Sequence, residues 1–191
     1  MTTFEYVSVI LTVVVSLAFA HLLTGVVRLL HARGVKFSLV YAGWIGLLIF
    51  WCVDYWFSTW QLRGADVWSL GFVVFLLLMA TVLYIACGLA VPAEAELKDG
   101  ADLAAFHDAN RRRFLGALFV YQVLSIFGNL AIAGMQSASL VNMGQIAIVG
   151  AAWLWPDRRL QLSAVIAMWL LTGWYALEYI PALLPFETSD G

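Results

Sequence analysis

The chain has 191 residues, of which 63% are hydrophobic and only 12% charged, with a formal net charge of -2 at pH 7. Soluble domains carry about twice that share of charge, so the composition, with a mean hydropathy of +0.91, excludes a water-soluble globule, a disordered chain and a basic nucleic-acid binder. Two cysteines are too few for a disulfide scaffold, which leaves an all-α polytopic membrane protein.

A membrane-spanning helix needs about 20 apolar residues. Six segments meet or approach that length, at about 7–30, 37–62, 67–91, 114–134, 140–155 and 160–184. They predict six transmembrane helices in one bundle with short connections, a single integral membrane domain over 1–191. Barrel strands are excluded, because no polar–apolar alternation runs for the ~10 residues such strands need. Ala18-Phe19-Ala20 fits a leader-cleavage pattern. No Lys or Arg precedes it and the apolar run is long, so the first segment reads as a retained span.

The breaks between segments have physical causes. Gly34 and Lys36 close the first span, and Arg63-Gly64-Ala65-Asp66 makes a polar turn after the second. Pro92 ends the third, since it has no N–H to continue a helix. Pro156-Asp157-Arg158-Arg159 separates the fifth and sixth, and Pro181 and Pro185 end the sixth. The fifth span is short. The connection 92–113 starts as a polar link over 93–100 and continues as an interfacial helix between spans 3 and 4. Asp102 is its N-cap, with Leu103, Phe106 and Asn110 on one side. Arg111, Arg112 and Arg113 then fall at the lipid headgroups.

Basic residues stay on the cytoplasmic side. Of ten Lys and Arg residues, only Arg63 falls on the side opposite the others. Both termini are therefore expected outside. Trp51, Tyr55, Trp56, Trp60, Trp68, Trp174, Tyr175 and Tyr179 gather toward the outer ends of spans 2, 3 and 6, where amphipathic rings prefer to lie.

Ionisable groups inside spans are costly and mark functional sites by default. There are three, His21, Asp54 and Glu178. At 1.5 Å per residue, Asp54 and Glu178 fall about 12 and 9 Å below the outer ends of their spans. Asn129 and Asn142 lie slightly shallower. His21 falls in a deeper layer with Gln122 and Gln145. The hypothesis is an ion or proton site formed by Asp54 and Glu178, with His21 as a relay and Asn129, Asn142, Gln122 and Gln145 as supporting polar groups. The competing reading makes these side chains hydrogen-bonded helix contacts and nothing more.

Other chemistry finds no foothold. His31 and His107 fall in the connections, so no bis-histidine haem pair lies within the spans, and neither lysine lies in a span. No His/Cys/Asp cluster has metal spacing, and the usual hydrolase and nucleotide-binding motifs are missing. No enzyme activity, metal or cofactor is expected. Cys52 and Cys87 differ in depth by about 15 Å in this topology, too far for a disulfide.

The stretch Phe4-Glu5-Tyr6-Val7-Ser8-Val9-Ile10, then Ala20-His21-Leu22-Leu23-Thr24-Gly25, the Trp-rich second span and Arg112-Arg113-Phe114 together resemble a group of small uncharacterised bacterial inner-membrane proteins with six predicted transmembrane helices. The resemblance implies a bacterial source and the same topology in the inner (cytoplasmic) membrane, with both termini on the periplasmic side. It implies no activity. The functional expectation is a small channel or carrier for protons or small cations. A chain this small has little room for a pore, so a homo-oligomer is expected. Its partner is the lipid bilayer and not a nucleic acid; no protein partner can be read. The alternative is a non-transporting scaffold or sensor that binds lipid or a partner protein through its helix faces.

Overall fold

The computed structural model describes residues 2–64, 68–93, 100–133 and 137–179. Among these residues the chain is helical without strands. Six α-helices follow in order: α1 Thr3–His31, α2 Leu39–Gln61, α3 Leu70–Ala90, α4 Leu103–Ala133, α5 Ser137–Leu154 and α6 Arg158–Tyr179. Residues 65–66 of the predicted turn, 94–99 of the polar link, Gly134 and everything after Tyr179, with Pro181 and Pro185, lie outside the described residues.

Local chemistry starts α1 to α4 and α6. Thr2 and Glu5 form a reciprocal capping box on α1, Thr2 Oγ1 accepting from Glu5 N–H at 3.2 Å and Glu5 Oε2 from Thr2 N–H at 2.8 Å. Ser38 caps α2 and Ser69 caps α3. Asp102 Oδ1 accepts from the N–H groups of Ala104 and Ala105, and Asp157 Oδ1 from those of Arg159 and Leu160. Each cap supplies an acceptor to N–H groups that have no partner inside the helix.

Five helices, α1 to α4 and α6, are long and apolar enough to cross a membrane, and α5 is a shorter apolar helix. The helices neighbour one another in the cyclic order α1–α3–α4–α5–α6–α2, and α2 also reaches α3 and α4. The core has a large cluster, with Trp44, Leu47, Leu48, Leu83, Leu115, Leu118 and Met168 fully buried, and a smaller one of Val7, Leu11, Leu62 and Leu76. The outer surface is apolar as well, exposing Val13, Leu17, Leu78, Phe127, Ile166 and Leu170. A water-facing protein rarely exposes so much contiguous apolar surface. The helical apolar bundle is compatible with an integral membrane protein.

One end of the bundle gathers the C-terminus of α1, the start of α2, the start of α4 and the α5–α6 turn. Lys36 N–H donates to Ala101 O at 2.9 Å, Leu103 N–H to Lys36 O at 3.2 Å and Gly100 N–H to Arg33 O at 2.9 Å. Gly34 and Gly100 sit at φ +68° and +83° in this clasp, a left-handed conformation that favours glycine. Lys36 Nζ adds an ion pair to Asp102 at 3.7 Å.

Three expectations are corrected. First, the interfacial helix is not a separate element: its residues are the first turns of α4, which runs unbroken from Leu103 to Ala133. His107 and Arg111 on these turns are buried, so one face of the segment packs on protein, with Ala104, Ala105 and Asp108 exposed on the other. Second, Arg111 is no headgroup ligand. Its Nη1 donates to Ala152 O and Trp153 O, while Arg112 and Arg113 are exposed. Third, Cys52 and Cys87 stand with sulfurs 3.7 Å apart as free, buried thiols. α2 and α3 are offset along their axes and do not start from a common outer level. Leu62, past the end of α2, packs beside Leu76, two turns into α3. From that shared level Cys52 and Cys87 both lie about 15 Å further down.

Candidate ion or proton site

Asp54 lies two turns before the end of α2, which of the five long apolar helices buries the largest share of its apolar stretch. α4 faces it with a polar stripe. Tyr121, Ser125 and Asn129 follow at four-residue spacing, with Gln122 beside them, which places them along one side of the helix. α5 contributes Asn142 and Gln145, three residues apart, and α6 contributes Tyr175. Together these side chains line a cavity of about 30 Å³ with Phe50, Trp51 and Ser58. That is space for about two water molecules.

The cavity wall is knitted by hydrogen bonds between helices. Asn129 Nδ2 donates to Asn142 Oδ1 at 3.3 Å, and Asn142 Nδ2 to Ser125 Oγ at 2.9 Å. Gln145 Nε2 donates to Thr172 Oγ1 on α6 at 3.3 Å. The Tyr175 hydroxyl hydrogen-bonds the Asp54 carboxyl. One group stands apart: Gln122 is 1% exposed, and its Nε2 has no hydrogen-bond partner.

A second cavity, of about 60 Å³, lies on the other side of Asp54 between α2, α3 and α4. It shares Asp54, Ser58, Tyr121, Ser125 and Asn129 with the first and adds Tyr55, Thr59, Leu62, Leu76, Met79 and Gly128. Along α2 it climbs from Asp54 to Leu62, about 12 Å. Tyr55 holds α3 in place here, its hydroxyl donating to Leu76 O at 2.7 Å. No Lys, Arg or His lines either cavity.

Of the seven residues proposed for the site and its support, five come together: Asp54, Asn129, Asn142, Gln122 and Gln145. The two depth layers expected from the sequence merge around Asp54. The other two lie elsewhere. Glu178 is exposed near the end of α6 and lines neither cavity. His21 is exposed on α1, its ring centroid 6.4 Å from that of Tyr84 on α3. Tyr121 and Ser125 were missed. Their signal was present, because both continue the stripe of Asn129 at helical spacing.

Among the described residues no group of three or more His, Cys, Asp or Glu side chains could hold a metal ion. The chain matches no protein-family profile, no curated protein and no solved structure.

Proposed function

We propose that the chain is a six-span integral membrane protein that carries protons or small cations, with Asp54 as its ion site. One observation carries this reading: a carboxyl inside the bundle opens on a polar cavity and on a second, more apolar one, and no cationic side chain lines either. A buried carboxylate without a counter-charge is costly. It is relieved by taking up a proton or a cation, and a group that must do so inside a membrane is suited to exchange one.

The rest of the proposal follows the same lines. The basic residues of the α1–α2, α3–α4 and α5–α6 connections support a cytoplasmic placement of that end. Both termini then face outward, in the inner membrane of a bacterium as the resemblance implies. A homo-oligomer would supply the conducting path that a single small bundle has little room for. Glu178 and His21 are left out of the site, because they lie outside the cavities.

The test is proton and monovalent-cation flux into sealed liposomes carrying the purified protein. Flux is expected in the wild type, lost in Asp54→Asn and retained in Glu178→Gln and His21→Gln. No flux in the wild type across pH and applied potential, or flux untouched by Asp54→Asn, would overturn the reading. A second reading, a scaffold or sensor that moves nothing, is favoured by one observation. The Asn129–Asn142–Ser125 hydrogen bonds join α4 to α5 as a packing contact would.

A further inference from the structure

We infer that Asp54 binds a proton and not a metal cation, through water held between its carboxyl and Gln122 Nε2, and that it is loaded along the α2–α3–α4 cavity. This rests on the reading of Asp54 as the ion site and names its cargo and its route.

The cargo follows from which polar atoms are free. A hard metal ion is held by a shell of about six or more oxygens. Here Asn142 Oδ1 already accepts from Asn129, and Ser125 Oγ from Asn142. Of the fully enclosed side-chain polar atoms in the cavity wall, the one without a partner is a donor, the Nε2 of Gln122. An N–H group repels a cation and calls for an acceptor. A water oxygen answers it, and that water's own hydrogens can then point to Asp54. A cavity of about 30 Å³ fits such a water with one companion, and it does not fit a hydrated metal ion.

The route follows from the second cavity. Ser58, Thr59, Ser125 and Asn129 give it a hydrogen-bonding side over the two turns of α2 above Asp54, opposite the apolar side of Leu62, Leu76 and Met79. Below Asp54 the bundle closes with Trp51, Leu48, Leu118 and Met168, all buried. Loading moves one proton from a hydronium in the cavity to a carboxylate oxygen of Asp54, leaving neutral water and a neutral acid. The titratable groups that line the two cavities with it are Tyr55 on α2, Tyr121 on α4 and Tyr175 on α6. α3 brings Leu76 and Met79 to them, and α5 brings Asn142 and Gln145.

Infrared spectroscopy of the protein in liposomes tests the cargo. A carboxylic-acid C=O band that fades as pH rises is expected, lost in Asp54→Asn and unchanged by excess Na⁺ or K⁺. In Gln122→Leu the band should move to the higher frequency of an acid that has lost a water partner. The salt arm uses the unsubstituted protein, so it decides the matter even where a variant fails to fold. Loss of the band on adding Na⁺ or K⁺ would overturn the proton assignment and leave the transport reading standing. No acid band at any pH where flux depends on Asp54 would overturn it too. The route is tested with Ser58→Cys in sided vesicles, against the unsubstituted chain. A membrane-impermeant thiol reagent should label it from the side where α2 ends, and labelling from the opposite side would overturn the route.

Discussion

Arg111 Nη1 lies 2.6 Å from the carbonyl oxygen of Ala152, and 2.7 Å from that of the next residue, Trp153. The last carbonyls of a helix have no partner within it, and here a buried guanidinium from α4 closes the end of α5. Gln161 on α6 completes the junction, its Nε2 donating to Ala152 O at 2.6 Å and Trp155 O at 2.9 Å. Arg111→Ala leaves the Trp153 carbonyl bare, while Gln161 still serves that of Ala152, and should cost about 1–3 kcal/mol. Arg112→Ala and Arg113→Ala, at exposed positions, should each stay within about 0.5 kcal/mol. Thermal unfolding in detergent separates the three. Equal effects would refute the capping role.

Gly25 gives a second contrast. A Cβ there would collide with the Val91 side chain, whereas a Cβ at Gly88 meets nothing within 4 Å. Gly25→Ala should push α1 off the end of α3 and cost about 1–3 kcal/mol, as overpacking does. Gly88→Ala should stabilise α3 by about 0.5–1 kcal/mol, the helical difference between the two residues. Melting temperatures moving in the same direction would contradict this packing.

Asn142 is bonded on both sides, to Asn129 and to Ser125. Interhelical hydrogen bonds in membrane proteins contribute about 0.6 kcal/mol on average and about 1.7 at most. Asn142→Leu removes two such bonds and should therefore lower stability by about 1 kcal/mol and by no more than about 3, with Gln145–Thr172 left to hold α5 on α6. Unfolding in a denaturing detergent measures it, and a change beyond that range would mean that Asn142 does more than join helices.

The clasp should respond to acid. The N–H group of Ala105, then that of Ala104 and the Lys36 ammonium, hold the Asp102 carboxyl below the ordinary value for an aspartate. A carboxyl depressed in the folded state contributes stability that is present above its unfolded pKa and lost as pH falls through its folded pKa. Protection of the Ala104 and Ala105 amides from hydrogen exchange should thus hold at neutral pH and fall below the ordinary carboxylate range. Asp102→Asn, which keeps a capping oxygen, should remove the pH dependence while retaining the protection. Unaltered acid sensitivity in that variant would place the titrating group elsewhere.

The helices were legible because their signals are local. Ser38, Ser69, Asp102 and Asp157 cap where polar residues precede apolar runs, and Pro92 follows α3. Asp54 and the stripe on α4 were legible for the same reason, since polar residues within spans are few and helical spacing assigns their side. What could not be read was set by contacts between helices. The offset of α2 against α3 depends on Leu62 meeting Leu76, and it decides that Cys52 meets Cys87. Arg111 looked like a lipid ligand because the end of α5 lies some forty positions further along the chain. On α6 the residue that meets Asp54 is Tyr175; Glu178 shares its side of the helix but lies one turn further on, so a depth counted from the ends of the spans missed the offset between α2 and α6.

The clasp between residues 33–36 and 100–103 also sets an order of assembly. The turn that follows α1 draws its backbone partners from a segment made only after α2 and α3. A ribosome delivering this chain to a membrane must therefore release three helices before the first connection can close. Until then the opening hairpin is held by side-chain packing alone, and a stall ahead of Asp102 would leave its hinge unlocked.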